Sequence, residues 1–256
     1  MILAIDVGNT NVTIGAFEKD KSVFVSGLFT DKYKTSDEYA CDFRNVFELY
    51  NVKSDEFSGC VISSVVPEIA IAIEEACARL TGTEPVVLGP GVKTGLNILG
   101  DDPAQLGADI VAGCVAAKEK YPVPAIVIDL GTATKITALD KNGSFCGTVI
   151  SCGVKVALDA LAGNASLLTS VKIKAPKNVI GKNTIDCMQS GAVYGTAAML
   201  DGMIERFEEE MDEPVKTVVA TGGYSNNIVS HCKKKIIYDP TLVLDGLRII
   251  YEKNKK

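Results

Sequence analysis

Apolar positions along this chain follow two periods, alternate residues in some stretches and every third or fourth in others, and the switches between them predict an α/β protein. Two β-prone runs, 2–5 and 12–17, flank Asp6-Val7-Gly8-Asn9-Thr10-Asn11, which predicts a strand, a tight turn and a return strand. A third strand is expected over 22–28. Tyr39, Phe43, Val46, Phe47 and Tyr50 then recur at helical spacing behind Thr35 and Ser36, either of which suits an N-cap. Residues 60–66 read as a buried strand. Pro67 opens a helix towards Leu80, since proline suits a first helical turn. A strand over 84–88 leads into a Gly/Pro-rich loop, 89–103, long enough to suspect function rather than simple connection. An apolar, small-residue helix follows, reaching about Lys120.

Pro122 and Pro124 mark a break. Beyond them lie strands over 125–130 and 133–139, a hairpin at Lys141-Asn142-Gly143 and a strand over 147–150. A helix over 154–168 is weakened by Gly163, and a polar turn occupies 180–184. A long helix from Met188 to about Glu210 carries Gly191, Gly195 and Gly202. The chain closes with a strand over 216–220 running into Thr221-Gly222-Gly223-Tyr224, a short strand over 236–238 and a helix over 242–251.

One grammar occurs twice. Asp129-Leu130-Gly131-Thr132 repeats Asp6-Val7-Gly8, and the spacing of 123 residues is close to half the chain. Two related halves, 1–118 and 119–256, are therefore expected. Either turn alone also reads as an ordinary hairpin with an Asx turn. Two of them facing each other across a cleft would share one nucleotide. Gly8 lets backbone approach a ligand, and the amides and the Thr10 hydroxyl supply donors to an anion.

Composition narrows the partners. With 256 residues and 47% apolar content, the chain can bury a large core. Twenty-six basic against 32 acidic residues give a net charge of −6, which points to neither nucleic acid nor an anionic membrane surface. No apolar run approaches the roughly 18 residues of a membrane span. The eight cysteines contain no C-x-x-C pair, and no basic region with a long apolar stretch opens the chain. A reducing cytoplasm with free, mostly buried thiols is the expectation. His231 reads as a single surface histidine.

Asp6, Asp109, Asp129 and three Gly/Thr turns suit phosphoryl transfer from a nucleotide. A metal bridging phosphates needs one or two carboxylates, the phosphates need amide and hydroxyl donors, and an acceptor hydroxyl needs a base. Asp109, in the first turn of its helix, equally satisfies the preference for acids near helix N-termini. The G-x-x-x-x-G-K-[ST] pattern is not met by Gly89-Pro90-Gly91-Val92-Lys93-Thr94, and no G-x-G-x-x-G follows the first strand.

Taken together, Asp6-Val7-Gly8-Asn9-Thr10, Ser63-Ser64-Val65-Val66-Pro67, Gly107-Ala108-Asp109, Asp129-Leu130-Gly131-Thr132-Ala133-Thr134, Ile180-Gly181-Lys182-Asn183-Thr184 and Thr221-Gly222-Gly223 resemble the type III pantothenate kinases in order and spacing, over essentially the whole chain. The resemblance implies duplicated actin-like (ribonuclease H-like) domains, with mixed sheets flanked by helices. It implies a homodimer with the active site at the interface. The implied reaction is ATP-dependent phosphorylation of pantothenate to 4′-phosphopantothenate, the first step of coenzyme A synthesis. The implied ions are Mg2+ and a monovalent cation, K+ or NH4+.

By the same resemblance, Asp6, Val7, Gly8, Asn9, Thr10, Asn11, Val12, Thr13 and Thr132 would contact ATP, with Asp6 helping to place the divalent metal. Asp129 would stand beside the monovalent cation. Asp109 would be the catalytic base, and Gly107, Ala108, Asp109, Ile110 and Thr184 would meet the acceptor. The chain departs from the family pattern at Ile110 (usually arginine), Gly100 (usually tyrosine), Cys152-Gly153 (Pro-Gly) and Leu168-Thr169 (Leu-Pro). These departures leave open a different small hydroxylated acceptor, or a nucleotide-binding relative without catalysis. Lys155 is a candidate source of the charge absent at Ile110.

Overall fold

A computed structural model describes residues Met1–Lys255. The chain forms two compact units, one of residues 1–96, 101–119 and the segment from Thr241 onward, the other of residues 97–100 and 120–240.

In the first unit β1 (Ile2–Val7), β2 (Asn11–Glu18) and β3 (Lys21–Phe29) form an antiparallel meander. Helix α1 (Ser36–Leu49) opens on a capping box, in which the Thr35 hydroxyl accepts from the Glu38 amide and the Glu38 carboxylate accepts from the Thr35 amide. That box settles the start that composition left between two residues. β4 (Gly59–Ser64) returns parallel to β1, and α2 (Pro67–Thr81) packs beside α1 before ending on Gly82, whose φ of +66° needs no Cβ. β5 (Val86–Val87) is only two residues long and completes the order β3-β2-β1-β4-β5. Leu3, Ile5, Ile14, Tyr39, Phe43, Phe47, Ile62, Ile69 and Ile73 meet in one core between this sheet and α1 and α2.

The second unit repeats the plan. After α3 (Ala108–Lys120) of the first unit come β6 (Ala125–Leu130), β7 (Ala133–Leu139) and β8 (Phe145–Cys152), another antiparallel meander. α4 (Val154–Asn164), α5 (Thr184–Ser190) and α6 (Thr196–Met211) follow. β9 (Thr217–Thr221) then runs parallel to β6, and after the short α7 (Ser225–Ile228), β10 (Ile237–Tyr238) runs parallel to β9. The order β10-β9-β6-β7-β8 is the first sheet's order read from the other edge, so the two sheets are topological copies. The two related halves expected from the paired motifs are observed, each a mixed sheet flanked by helices as the resemblance implied.

Four local features differ from the sequence reading. α4 stops at Asn164 rather than running to 168, one residue after its helix-weakening Gly163. The helix expected from Met188 begins at Thr184, because the Asn183 side chain accepts from the Asp186 amide and caps it, and its middle, Gly191–Gly195, is wound as a π-helix. Thiols expected to be mostly buried are not: Cys60, Cys77 and Cys114 are buried and Cys232 is half-buried, whereas Cys41, Cys146, Cys152 and Cys187 are exposed. Burial and the nearby Asp201 carboxylate push the Cys232 thiol up to about 12. The division at 118/119 would leave the closing helix α8 (Leu242–Asn254) with the second half, yet α8 packs on β1 and β4.

That docking is close enough to test. An added Cβ on Gly246 of α8 would fall inside the van der Waals shell of the Ala112 carbonyl oxygen on α3, and both partners are backbone. Gly246→Ala gains helix propensity of about 1 kcal/mol, but overpacking against backbone costs about 1–3 kcal/mol or more. A lowered urea midpoint is the expected result, and an unchanged or raised midpoint would show that α8 docks differently.

Candidate active site

Asp6 is the penultimate residue of β1, in register with Thr13 on one side and Ser63 on the other. The Ser63 hydroxyl donates to Asp6 Oδ1 at 2.5 Å, fixing the carboxylate's orientation. The turn beyond is strapped by the Gly8 amide donating to the Asn11 carbonyl (2.9 Å) and by Thr30, whose hydroxyl donates to the Gly8 carbonyl (2.6 Å) and whose amide donates to the Thr10 carbonyl (3.0 Å). Val7 and Val12 are buried beneath it, Thr13 is half-buried, and Asn9, Thr10 and Asn11 are exposed. The Gly8 amide is thus committed to the turn itself.

Asp109 is the second residue of α3, half-buried, on a helix whose residues Val111 to Ala117 are all buried. Its Oδ1 accepts from the Ile110 amide at 2.8 Å, and a Cβ at position 107 would lie 2.7 Å from that oxygen, so a side chain there would push the carboxylate aside. The Asp109 charge is felt inside the helix: burial, and then this carboxylate, push the Cys114 thiol well above the usual range. Ala108 and Ile110, half-buried beside Asp109, add no charge.

In the second unit Asp129 is the penultimate residue of β6, the position Asp6 holds in β1, and is in register with Lys135 and Thr221. Lys135 Nζ lies 2.7 Å from Asp129 Oδ2, with only 15% and 23% of the two side chains exposed. Three glycine turns meet at this strand end. The Gly131 amide donates to the Ala133 carbonyl (3.1 Å), and the Gly153 amide donates to the Thr132 carbonyl (3.1 Å). Gly222, with φ of +95°, leaves a hypothetical Cβ only 2.5 Å from Asp129 Oδ1 and 2.7 Å from the Leu130 amide nitrogen. Thr132 stands exposed at the tip. Gly153 keeps its place even though Cys152 stands before it.

Thr184, the exposed first residue of α5, lines a largely apolar cavity of about 460 Å³ with Thr134, Cys152, Val154, Leu158 and Met188. Lys155 does not provide an uncommitted charge, because its ammonium pairs with Asp159 one helical turn on. Gly100, at the family's tyrosine position, has a bridge neighbour, Ile98, in the strand contact with Phe145. No group of three or more His, Cys, Asp or Glu side chains suited to a metal occurs among the described residues. Sequence reasoning missed Lys135 and the Ser63 bond to Asp6. Both follow from register, the first from counting back across a three-residue turn, the second from pairing β4 with β1.

A family model described as type III pantothenate kinase matches residues 2–206. A relative of that name from Exiguobacterium sibiricum is 42% identical over 255 residues, covering 100% of both chains. Among solved structures, component A of the Acidaminococcus fermentans (R)-2-hydroxyglutaryl-CoA dehydratase superposes with a TM-score of 0.61 at 17% identity, covering 98% of each chain. The inorganic polyphosphate/ATP-glucomannokinase of Arthrobacter sp. strain KM gives 0.51 at 13% identity, covering 99% of each. At these identities the two structures speak for the fold.

Proposed function

The chain belongs to the type III pantothenate kinase family, and we propose that it transfers the γ-phosphoryl group of ATP to the primary hydroxyl of pantothenate, the first committed chemistry towards coenzyme A. The observation that carries this reading is the end-to-end match to a named pantothenate kinase, in a chain that keeps Asp6, Asp109 and Asp129 at strand ends and a helix start.

Asp109 takes the hydroxyl proton as the acceptor oxygen attacks, a role suited to a half-buried carboxylate oriented by the Ile110 amide. Gly107, Ala108, Ile110 and Thr184 form acceptor contacts, and residues 7–13 with Thr132 contact the nucleotide phosphates. Asp6 holds Mg2+. A single oriented carboxylate fits that ion, which keeps several waters and takes its other ligands from substrate phosphates. Bound there, Mg2+ neutralises charge on the phosphates. With Ile110 in place of an arginine, the acceptor carboxylate lacks a contact worth about 1.5–3 kcal/mol, which acts on pantothenate binding rather than on phosphate chemistry.

A homodimer belongs to this reading through the family resemblance. An active site at that interface remains part of this reading. Eight unpaired thiols suit a reducing cytoplasm, and no helix among the described residues is long and apolar enough to cross a membrane. The acceptor is tested by a screen of small hydroxylated compounds with ATP. Pantothenate alone should drive nucleotide consumption, whereas turnover with another acceptor and none with pantothenate would replace it.

A further inference from the structure

Taking the pantothenate kinase reading as given, we propose that the ε-ammonium of Lys135 stands in place of the exchangeable monovalent cation beside Asp129, so that this enzyme works without added K+ or NH4+. Asp129 and Lys135 are directly opposite each other on β6 and β7, so their side chains leave the same face of the hairpin. Their separation, 2.7 Å, is that of a charge-assisted hydrogen bond, and both side chains are more than three-quarters sheltered from solvent. On the other side of the carboxylate, the Gly222 backbone lies so close to Oδ1 that no Cβ fits between them. One oxygen therefore faces a fixed ammonium and the other a fixed backbone. An ammonium has the charge of K+ and the chemistry of NH4+, but here it is tethered and cannot dissociate. A second cation at this carboxylate would meet the lysine's own charge at close range, so the residues present do not fit an exchangeable ion. The lysine also cannot be mistaken for a solvent-facing salt bridge, since its partner ends a central strand beside the Thr132 and Gly222 turns.

Steady-state turnover and thermal melting are measured in KCl and in choline chloride at equal ionic strength, for the natural chain and for Lys135→Ala and Lys135→Met. The natural chain should differ less than about twofold in turnover between the two salts, with the same melting temperature in each. The variants should lose about tenfold or more in choline and recover on addition of K+ or NH4+, and K+ should raise the melting temperature of both variants but not of the natural chain. Tenfold activation of the natural chain by K+, or variants that keep full turnover in choline, would overturn the proposal. So would a loss that neither cation repairs, which would make Lys135 a structural ion pair. If no salt supports pantothenate-dependent turnover, the kinase reading fails instead, and the melting comparison still decides the cation.

Discussion

Asp109→Asn should lower kcat by about 10²–10⁴-fold, the contribution of a positioned general base, while leaving the fold and the KM for ATP nearly unchanged. The substitution is well matched to the geometry. Asparagine keeps an Oδ1 that can accept from the Ile110 amide, now made at 2.8 Å, and it adds no atom towards Gly107. What disappears is the ability to take a proton. The helix start loses a favourable charge worth about 0.3–1 kcal/mol, a change of about 1–4 °C in melting temperature for a chain of this size. Kinetics with saturating ATP and pantothenate, paired with a melting curve, check both halves. Near-normal turnover would leave Asp109 as a helix-dipole acid and nothing more, the alternative that its place in the first turn of α3 always allowed.

Asp6→Asn should cost about 10²–10³-fold in turnover, the scale seen when one preorganised electrostatic group is removed from a reacting phosphate or oxyanion. It should also raise the Mg2+ concentration needed for half-maximal rate. The Ser63 hydroxyl, 2.5 Å from Asp6 Oδ1, can still donate to an amide oxygen, so β1 and β4 keep their pairing while the charge is lost. A Mg2+ titration at fixed ATP separates this from an acceptor defect: a variant with normal Mg2+ dependence and a raised pantothenate KM would move Asp6 out of the phosphate site. The two variants thus have different signatures, one in the chemical step and one in metal and nucleotide handling.

Much of the architecture was legible because the same local grammar occurs twice. An apolar run, an acid, a glycine turn and a second apolar run specify a hairpin by alternation and turn chemistry alone, and both hairpins formed with Asp6 and Asp129 at equivalent positions. α1 was legible because Tyr39, Phe43, Val46, Phe47 and Tyr50 recur at helical spacing, whereas the capping box that fixes its start at Thr35 was seen only in the structure. The ends of α4 and α5 were harder, since Gly163 and the Asn183 cap compete with a helical pattern that runs on past one and begins after the other. Periodicity gives the buried face of α8 but cannot say which sheet that face meets. Its packing on β1 and β4 decides it, and those contacts join residues far apart in the chain.

Burial of the cysteines was misjudged for a related reason. A cysteine on a strand or helix is buried or exposed according to which face it occupies: Cys60 points into the core, whereas Cys146 and Cys152, on the outermost strand β8, do not. In the candidate site the acids were visible as residue types, but their partners were not. Lys135 is an unremarkable residue in a β-run until strand register sets it against Asp129, and Ser63 is one of two adjacent serines until β4 is laid parallel to β1.

The central claim is phosphoryl transfer to pantothenate, and the most direct test counts both products of one reaction. With ATP, Mg2+ and pantothenate, ADP and 4′-phosphopantothenate should appear in equal amounts, the latter identified by mass spectrometry, and neither should appear when pantothenate is left out. ADP formed without a phosphorylated pantothenate, or at the same rate in its absence, would contradict the account.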